Sequence, residues 1–446
     1  MPKFSSARFL LALTLGILLV QTPSWAQEPA KAPQPPQLKP TQKPAPAKPE
    51  TDETLTAAQA ALEAKDYARA VELLESYLTR DPSHVGARFN LAYSYSLLGQ
   101  LAEAITAYRK TLELDPKLFQ AYLNLGLLLL QEGAPAEAVK ALVQGVALRP
   151  EHVPGRLAYA QALAQSGDKK RGRAQYQEVM AREPQNVEAL RGVARLELDA
   201  GEYVAAETHL RQTLALEPGR PELHWWLAEA LLGQDKLEAA ASELEAYLVA
   251  QPQDAAAHQR LGNLYRDLGR NSDALRHFDA ALATGASLPE LATARAGTLA
   301  ALERWEEAAA AFQALIATEP QNAQWLHELG LVRLHQGKLE AAATAFEHAI
   351  RLRADYVEAY NGLALSLQLG GNCSATLETL DLRARYAQEA AGTYFLRAIC
   401  YDRLHQLEAA VENYQKFLAV NDAPDSPQAF QAQQRLRLLK QQLERR

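Results

Sequence analysis

Small and large apolar residues return at fixed intervals from Thr51 onward, with a period of 34 residues and no insertion across eleven units. Counted within each unit, the eighth position reads Ala58, Ala92, Gly126, Ala160, Ala194, Ala228, Gly262, Ala296, Gly330, Ala364 and Ala398. The twentieth is alanine or glycine in ten units, as in Ala70, Ala104 and Gly172, and Thr376 in the remaining one. Larger apolar residues flank these columns, such as Leu91, Leu125 and Leu261 at the seventh position and Tyr108, Phe278, Phe312 and Phe346 at the twenty-fourth. The pattern predicts two helices per unit, brought close by the small columns and packed around the contact by the bulky ones. Gly99, Gly133, Gly167, Gly201, Gly269 and Gly337, all at the fifteenth position, mark the turn between them. Prolines at the thirty-second position (Pro82, Pro116, Pro150, Pro184, Pro218, Pro252 and Pro320) end the second helix and turn the chain into the next unit. The predicted body is all-α: eleven helix-turn-helix repeats over residues 51–424, each needing a neighbour to bury its apolar face.

The regularity weakens toward the end, where Thr376, Gln388 and Asp422 replace the expected alanine and prolines. Residues 425–446 then place Phe430, Leu436, Leu439 and Leu443 on one predicted helical stripe with basic residues opposite, which suits a capping helix.

The unit His258-x2-Leu261-Gly262-x2-Tyr265, followed by Ala274-x3-Phe278, resembles the signature of the tetratricopeptide repeat family, and the resemblance covers 374 of the 446 residues. The early tryptophan of that signature is absent from every unit, with Tyr122, His224 and Tyr360 among its replacements. The resemblance implies an α-solenoid, a right-handed superhelix whose first helices line a concave groove. Positions two, five, six, nine, twelve and thirteen of each unit would face it.

In the second and third units those positions include Phe89, Asn90, Tyr93, Leu123, Asn124 and Leu127. Two asparagines one repeat apart on an apolar floor can bond both the N–H and the C=O of an extended peptide. The competing account packs Phe89, Leu123 and Leu127 against neighbouring helices and leaves the asparagines to solvent. Units five to seven contribute Arg191, Arg195, Trp225, Trp226, Arg260, Asn263 and Arg266. Arginines beside tryptophans suit an anion or carboxylate, or a sugar stacked on the rings. Local ion pairs with Glu188, Glu222 and Glu229 would explain the same residues without a ligand.

At the N-terminus, Lys3 and Arg8 precede a twelve-residue apolar run from Phe9 to Val20, and Ser24-Trp25-Ala26 supplies small residues before Gln27. This is the layout of a secretory signal over residues 1–26. The run is shorter than the roughly 20 apolar residues a membrane span requires. Cleavage before Gln27 is expected, with retention as an anchor the alternative. Eight prolines between Pro29 and Pro49 predict a disordered spacer over residues 27–50, or simply a solvated tail. The chain is therefore expected to be exported, most simply to the periplasm, with secretion the alternative and no membrane span after signal cleavage.

The formal charge is −7, but the stretches 1–26, 27–50 and 425–446 are positive by two, two and three charges, which leaves −14 on residues 51–424. Such a body repels phosphate backbones and anionic lipid, so nucleic acid is not expected as a partner. His327-Glu328 has no second histidine four positions after the first, and no GxSxG or phosphate-cradling glycine loop occurs. No cofactor, metal site or catalysis is expected.

Cys373 and Cys400 fall in adjacent predicted helices and could form a disulfide in an oxidising compartment, or remain two buried thiols. The functional expectation is a scaffold or adaptor of the cell envelope that binds an extended peptide or protein segment in its groove. The alternative is a scaffold arm in exopolysaccharide export or outer-membrane assembly that contacts glycan.

Overall fold

The computed structural model describes residues 52–286 and 288–444; the expected signal peptide over 1–26 and spacer over 27–50 lie outside the described residues. Among the described residues there are 23 α-helices and no strand. The chain divides into two compact units, the first reaching Gln234 and the second beginning at Asp235.

The first unit holds α1 (Glu53–Glu63), α2 (Tyr67–Arg80), α3 (Val85–Leu97), α4 (Leu101–Leu114), α5 (Phe119–Gln131), α6 (Pro135–Leu148), α7 (Val153–Gln165), α8 (Lys169–Arg182), α9 (Val187–Asp199), α10 (Tyr203–Leu216) and α11 (Pro221–Leu232). The second holds α12 (Leu237–Ala250), α13 (Ala255–Asp267), α14 (Asn271–Ala283), α15 (Pro289–Ala301), α16 (Trp305–Thr318), α17 (Ala323–His335), α18 (Leu339–Leu352), α19 (Val357–Leu369), α20 (Cys373–Arg383), α21 (Ala391–Arg403), α22 (Leu407–Val420) and α23 (Pro427–Glu444). Within each unit every helix packs on the one before it, the serial arrangement of a solenoid.

The hairpin turn has one conformation throughout. All eleven residues at the fifteenth position have positive φ, between 57° and 93°. Seven are glycines, but Lys65, Asp235, Glu303 and His405 adopt it too, although the left-handed region costs a residue with a Cβ about 1–2 kcal/mol. Packing of the two helices therefore sets the turn. At the other end of each unit, proline forces its predecessor out of the helical region, and Asp81 and Asp115 are extended at φ −131° and −132°. The next helix is then capped from the thirty-fourth position. His84 and His152 accept the amides of Ala87 and Gly155 through Nδ1 at 2.9 Å, and Asn186 and Asp254 accept those of Ala189 and Ala257 at 3.0 Å.

The fourth position, where the resemblance expects tryptophan, carries a different device. Arg88, Arg156 and His258 reach back to the carbonyls of Pro82, Pro150 and Pro252 at 2.6, 2.7 and 3.2 Å. A polar side chain thus ties each of these first helices to the end of the preceding repeat.

The core follows the small columns. Every alanine of the eighth position is buried, and where that position is glycine a bulky twenty-fourth residue fills the gap. A Cβ on Gly126 would meet Leu142 at 2.3 Å, and on Gly262 or Gly330 it would meet Phe278 or Phe346 at 2.6 Å. Phe346 is fully buried, and a Cβ on Gly362 would approach it at 2.4 Å from the next repeat. Gly330→Ala is accordingly expected to cost about 2 kcal/mol through overpacking. Thermal unfolding of the variant checks this, and an unchanged midpoint would show that the ring can move aside.

The degenerate tenth repeat is held by charge. α20 stops at Arg383, whose guanidinium donates to Asn361 Oδ1 at 2.7 Å and to the Gln388 carbonyl at 2.9 Å. Buried Arg397 pairs with Asp381 at 2.7 Å and Glu389 at 2.8 Å. These bonds fasten the connection that proline shapes elsewhere. α23 packs on α22 through Ala429, Ala432 and Leu439, with Leu436 and Leu443 partly buried. Phe430 departs from the expected stripe and is 64% exposed. The packed residues follow a 3-4-3-4 spacing, and Phe430 lies about 100° around the helix from it. No helix among the described residues is long and apolar enough to cross a membrane.

Candidate functional site

In the first unit the close approaches between alternate helices join first helices: α5 with α7, α7 with α9, and α9 with α11. The columns that the resemblance assigns to a groove run along these helices and along α3. On α3 these columns read Gly86, Phe89, Asn90, Tyr93, Ser96 and Leu97, and on α5 Gln120, Leu123, Asn124, Leu127, Leu130 and Gln131. On α7 they read Pro154, Leu157, Ala158, Gln161, Ala164 and Gln165. None of the eighteen residues of this α3–α5–α7 wall carries a charge, whereas the same columns of the first, fifth and sixth repeats carry Asp52, Glu63, Glu188, Arg191, Arg195, Asp199, Glu222 and Glu229.

The expected residues behave unequally. Asn90 is half-buried and lines a groove of about 500 Å³ between α1 and α3, together with Leu55, Thr56, Gln59, Glu63 and His84. Asn124 is partly committed, its Nδ2 donating to the Tyr108 hydroxyl at 2.9 Å. Burial raises the pKa of that phenol, so it stays protonated. Phe89 meets Tyr108 edge-on with ring centroids 5.6 Å apart, and Tyr93 meets Tyr67 edge-on at 6.4 Å. Leu127 is half-buried.

Leu123 and Trp225 correct the sequence reading: they are only 5% and 7% exposed, so neither offers its face to a ligand. Both occupy the fifth position, one turn before the buried eighth, where a large side chain folds onto the rim of the core.

The arginine-tryptophan set is divided. Arg191 is half-buried on α9. Arg195 is engaged by Asp199 at 3.3 Å, and its guanidinium carbon lies 5.6 Å from the centre of the half-buried Trp226 ring. The local ion-pair account thus holds for Arg195, with Asp199 as the partner in place of the expected glutamates. Arg260 and Asn263 are half-buried on α13 of the second unit, and Arg266 is exposed there.

Cys373 and Cys400 are unbridged and buried. Burial, reinforced by Cys373, pushes the Cys400 thiol up to about 12. Among the described residues no cluster of three or more His, Cys, Asp or Glu could hold a metal ion.

Sequence reasoning missed the glutamines of the wall and the α1 side of the groove. The signal for the glutamines was the run of uncharged residues down the facing columns of α3, α5 and α7, legible only when those columns are compared with the acidic remainder.

Three family models match the chain. The TPR domain of cytochrome c-type biogenesis protein H matches residues 106–223, and two tetratricopeptide repeat models match residues 55–119, 260–323, 293–357 and 327–372, and residues 197–264. No curated protein matches. Among solved structures, the APC/C hetero-tetramer Cut9-Hcn1 is similar at 12% identity over 86% of this chain and 95% of that one, with a TM-score of 0.40. Yeast Tom70 is similar at 12% identity over 88% and 96%, with a TM-score of 0.36. MamA from Desulfovibrio magneticus is similar at 22% identity over 37% and 94%, also at 0.36.

Proposed function

The chain belongs to the tetratricopeptide repeat family, and we propose that it is a non-catalytic adaptor of the cell envelope that holds an extended, uncharged peptide segment along α3, α5 and α7. Tetratricopeptide repeat scaffolds are consistent with protein–protein interaction, and members bind proteins or peptides. The observation that carries the finer reading is the uncharged wall within an acidic body. An extended peptide presents alternating N–H and C=O groups, and a side-chain amide answers either one. Asn90, Gln120, Gln161 and Gln165 supply such amides, while Phe89 and Leu127 offer apolar contact between them. A charge on a partner would meet no countercharge among these side chains of α3, α5 and α7, so the wall favours neutral sequence.

A photo-crosslinking residue placed at Asn90 or Gln161 in intact cells tests this. Adducts with protein, lost when the substitution is moved to the second helices, support the reading. Crosslinks to glycan alone would favour the polysaccharide-export alternative. Export has its own test. N-terminal sequencing of the protein from the cell envelope is expected to begin at Gln27, and a retained Met1 would indicate an anchor.

A further inference from the structure

We propose that the cleft between α21 and α23 is a second docking site, distinct from the uncharged wall, that takes an acidic segment bearing large apolar side chains. The cleft has a volume of about 650 Å³ and is floored by Ile399 and Tyr414. Its α23 lip carries Phe430, 64% exposed, and Leu438, 49% exposed. Neither residue is needed to close the array, since Ala429, Ala432 and Leu439 already pack against α22. Two large apolar side chains left open beside a cavity form an anchor pair of the kind that fills a partner's core contact.

The charge around the cleft chooses the partner. Asp402 is neutralised by Arg435 through two bonds of 2.5 and 2.8 Å. Arg403 lines the same cleft and is exposed; it donates to the Gln368 carbonyl at 3.2 Å and makes no ion pair among the described residues. Arg437, two turns after Phe430 on the same side of α23, is exposed and likewise without an ion pair. Residues 51–424 as a whole carry −14. A net positive, apolar cleft in that setting complements an acidic, apolar segment and repels basic ones.

Fluorescence anisotropy on the full chain tests this with a twelve-residue labelled probe alternating Glu with Leu and Phe. A probe with Lys in place of Glu is the control. The acidic probe is expected to bind, with Phe430→Ser or the pair Arg403→Glu and Arg437→Glu raising Kd about tenfold or more. Asn90→Ala, on the wall of the first unit, is expected to leave Kd unchanged. Because Arg403, Phe430 and Arg437 are exposed and Asn90 is only half-buried, circular dichroism should remain as in the parent. Binding insensitive to these changes, equal binding of the lysine probe, or no binding of the acidic probe would overturn the proposal. So would self-association through this cleft, seen as a dimer abolished by Phe430→Ser.

Discussion

Glu197→Leu is expected to destabilise the first unit by about 3 kcal/mol, because it strips the buried carboxylate that joins three helices. Glu197, on α9, is 1% exposed. It accepts Arg173 Nη2 from α8 at 2.8 Å and contacts His209 Nδ1 from α10 at 2.8 Å. Arg173 also reaches Glu202 at 2.7 Å, so it retains one partner in the variant. The arginine is 30% exposed, which tempers its share and argues for the lower end of the 3–5 kcal/mol range for breaking a buried pair. Adding His209→Leu should recover part of the loss, since the second unpaired group then disappears. Long repeat arrays need not unfold in one step, so hydrogen exchange of α8, α9 and α10 is the fitting measurement. Faster exchange confined to these helices is the expected result; a loss below about 1 kcal/mol would mean that water replaces the carboxylate.

The second large effect is acid sensitivity in the second unit. His277 on α14 is 8% exposed; its Nδ1 contacts His258 Nδ1 of α13 at 3.0 Å, and its ring stacks on Tyr265. His258 Nε2 lies 3.2 Å from the Pro252 carbonyl, which suits a donor at that nitrogen. The neutral His258 Nδ1 is then an acceptor, and His277 Nδ1–H donates to it. His277 Nε2 is buried without a hydrogen-bond partner, so a proton there would carry charge into a site that cannot solvate it. Burial, with Arg276 and His258 beside it, lowers the His277 pKa from 6.5 to about 4, against smaller opposing effects of Glu245 and Asp273. Below pH 6.5 the unfolded chain takes up a proton that the folded chain refuses until about pH 4, so stability falls across that window as pH falls. The full difference is about 3 kcal/mol, on the scale of 1.36 kcal/mol per pKa unit. Melting temperatures recorded from pH 7 to pH 4 should show the decline, and His277→Leu should flatten it. A variant with the same slope as the parent would place the titrating group elsewhere.

The periodic parts of the fold were legible because they rest on sterics that one residue expresses. A methyl-sized eighth position and a proline at the thirty-second each admit few residue types, and glycine marks most of the left-handed fifteenth positions, so the columns show them directly. The site was legible only in outline. Whether a fifth-position side chain faces a groove or folds onto the core depends on its size and neighbours, which is why Phe89 stays half-open while Leu123 and Trp225 are buried. Asn90 and Asn124 look equivalent in sequence, yet Tyr108 engages only one of them. Glu197 carried no signal at all, because its partners Arg173 and His209 lie 24 and 12 residues away in other helices.

The uncharged wall is the central claim, and peptide binding measured as a function of salt tests it most directly. Peptides selected on the full chain from an unbiased twelve-residue display library should be neutral and extended, and should bind with affinity nearly constant from low to high ionic strength. Asn90→Ala with Gln161→Ala should weaken that binding about tenfold while helicity is retained. Selection of strongly charged peptides whose binding collapses with salt, or binding indifferent to both substitutions, would contradict the account.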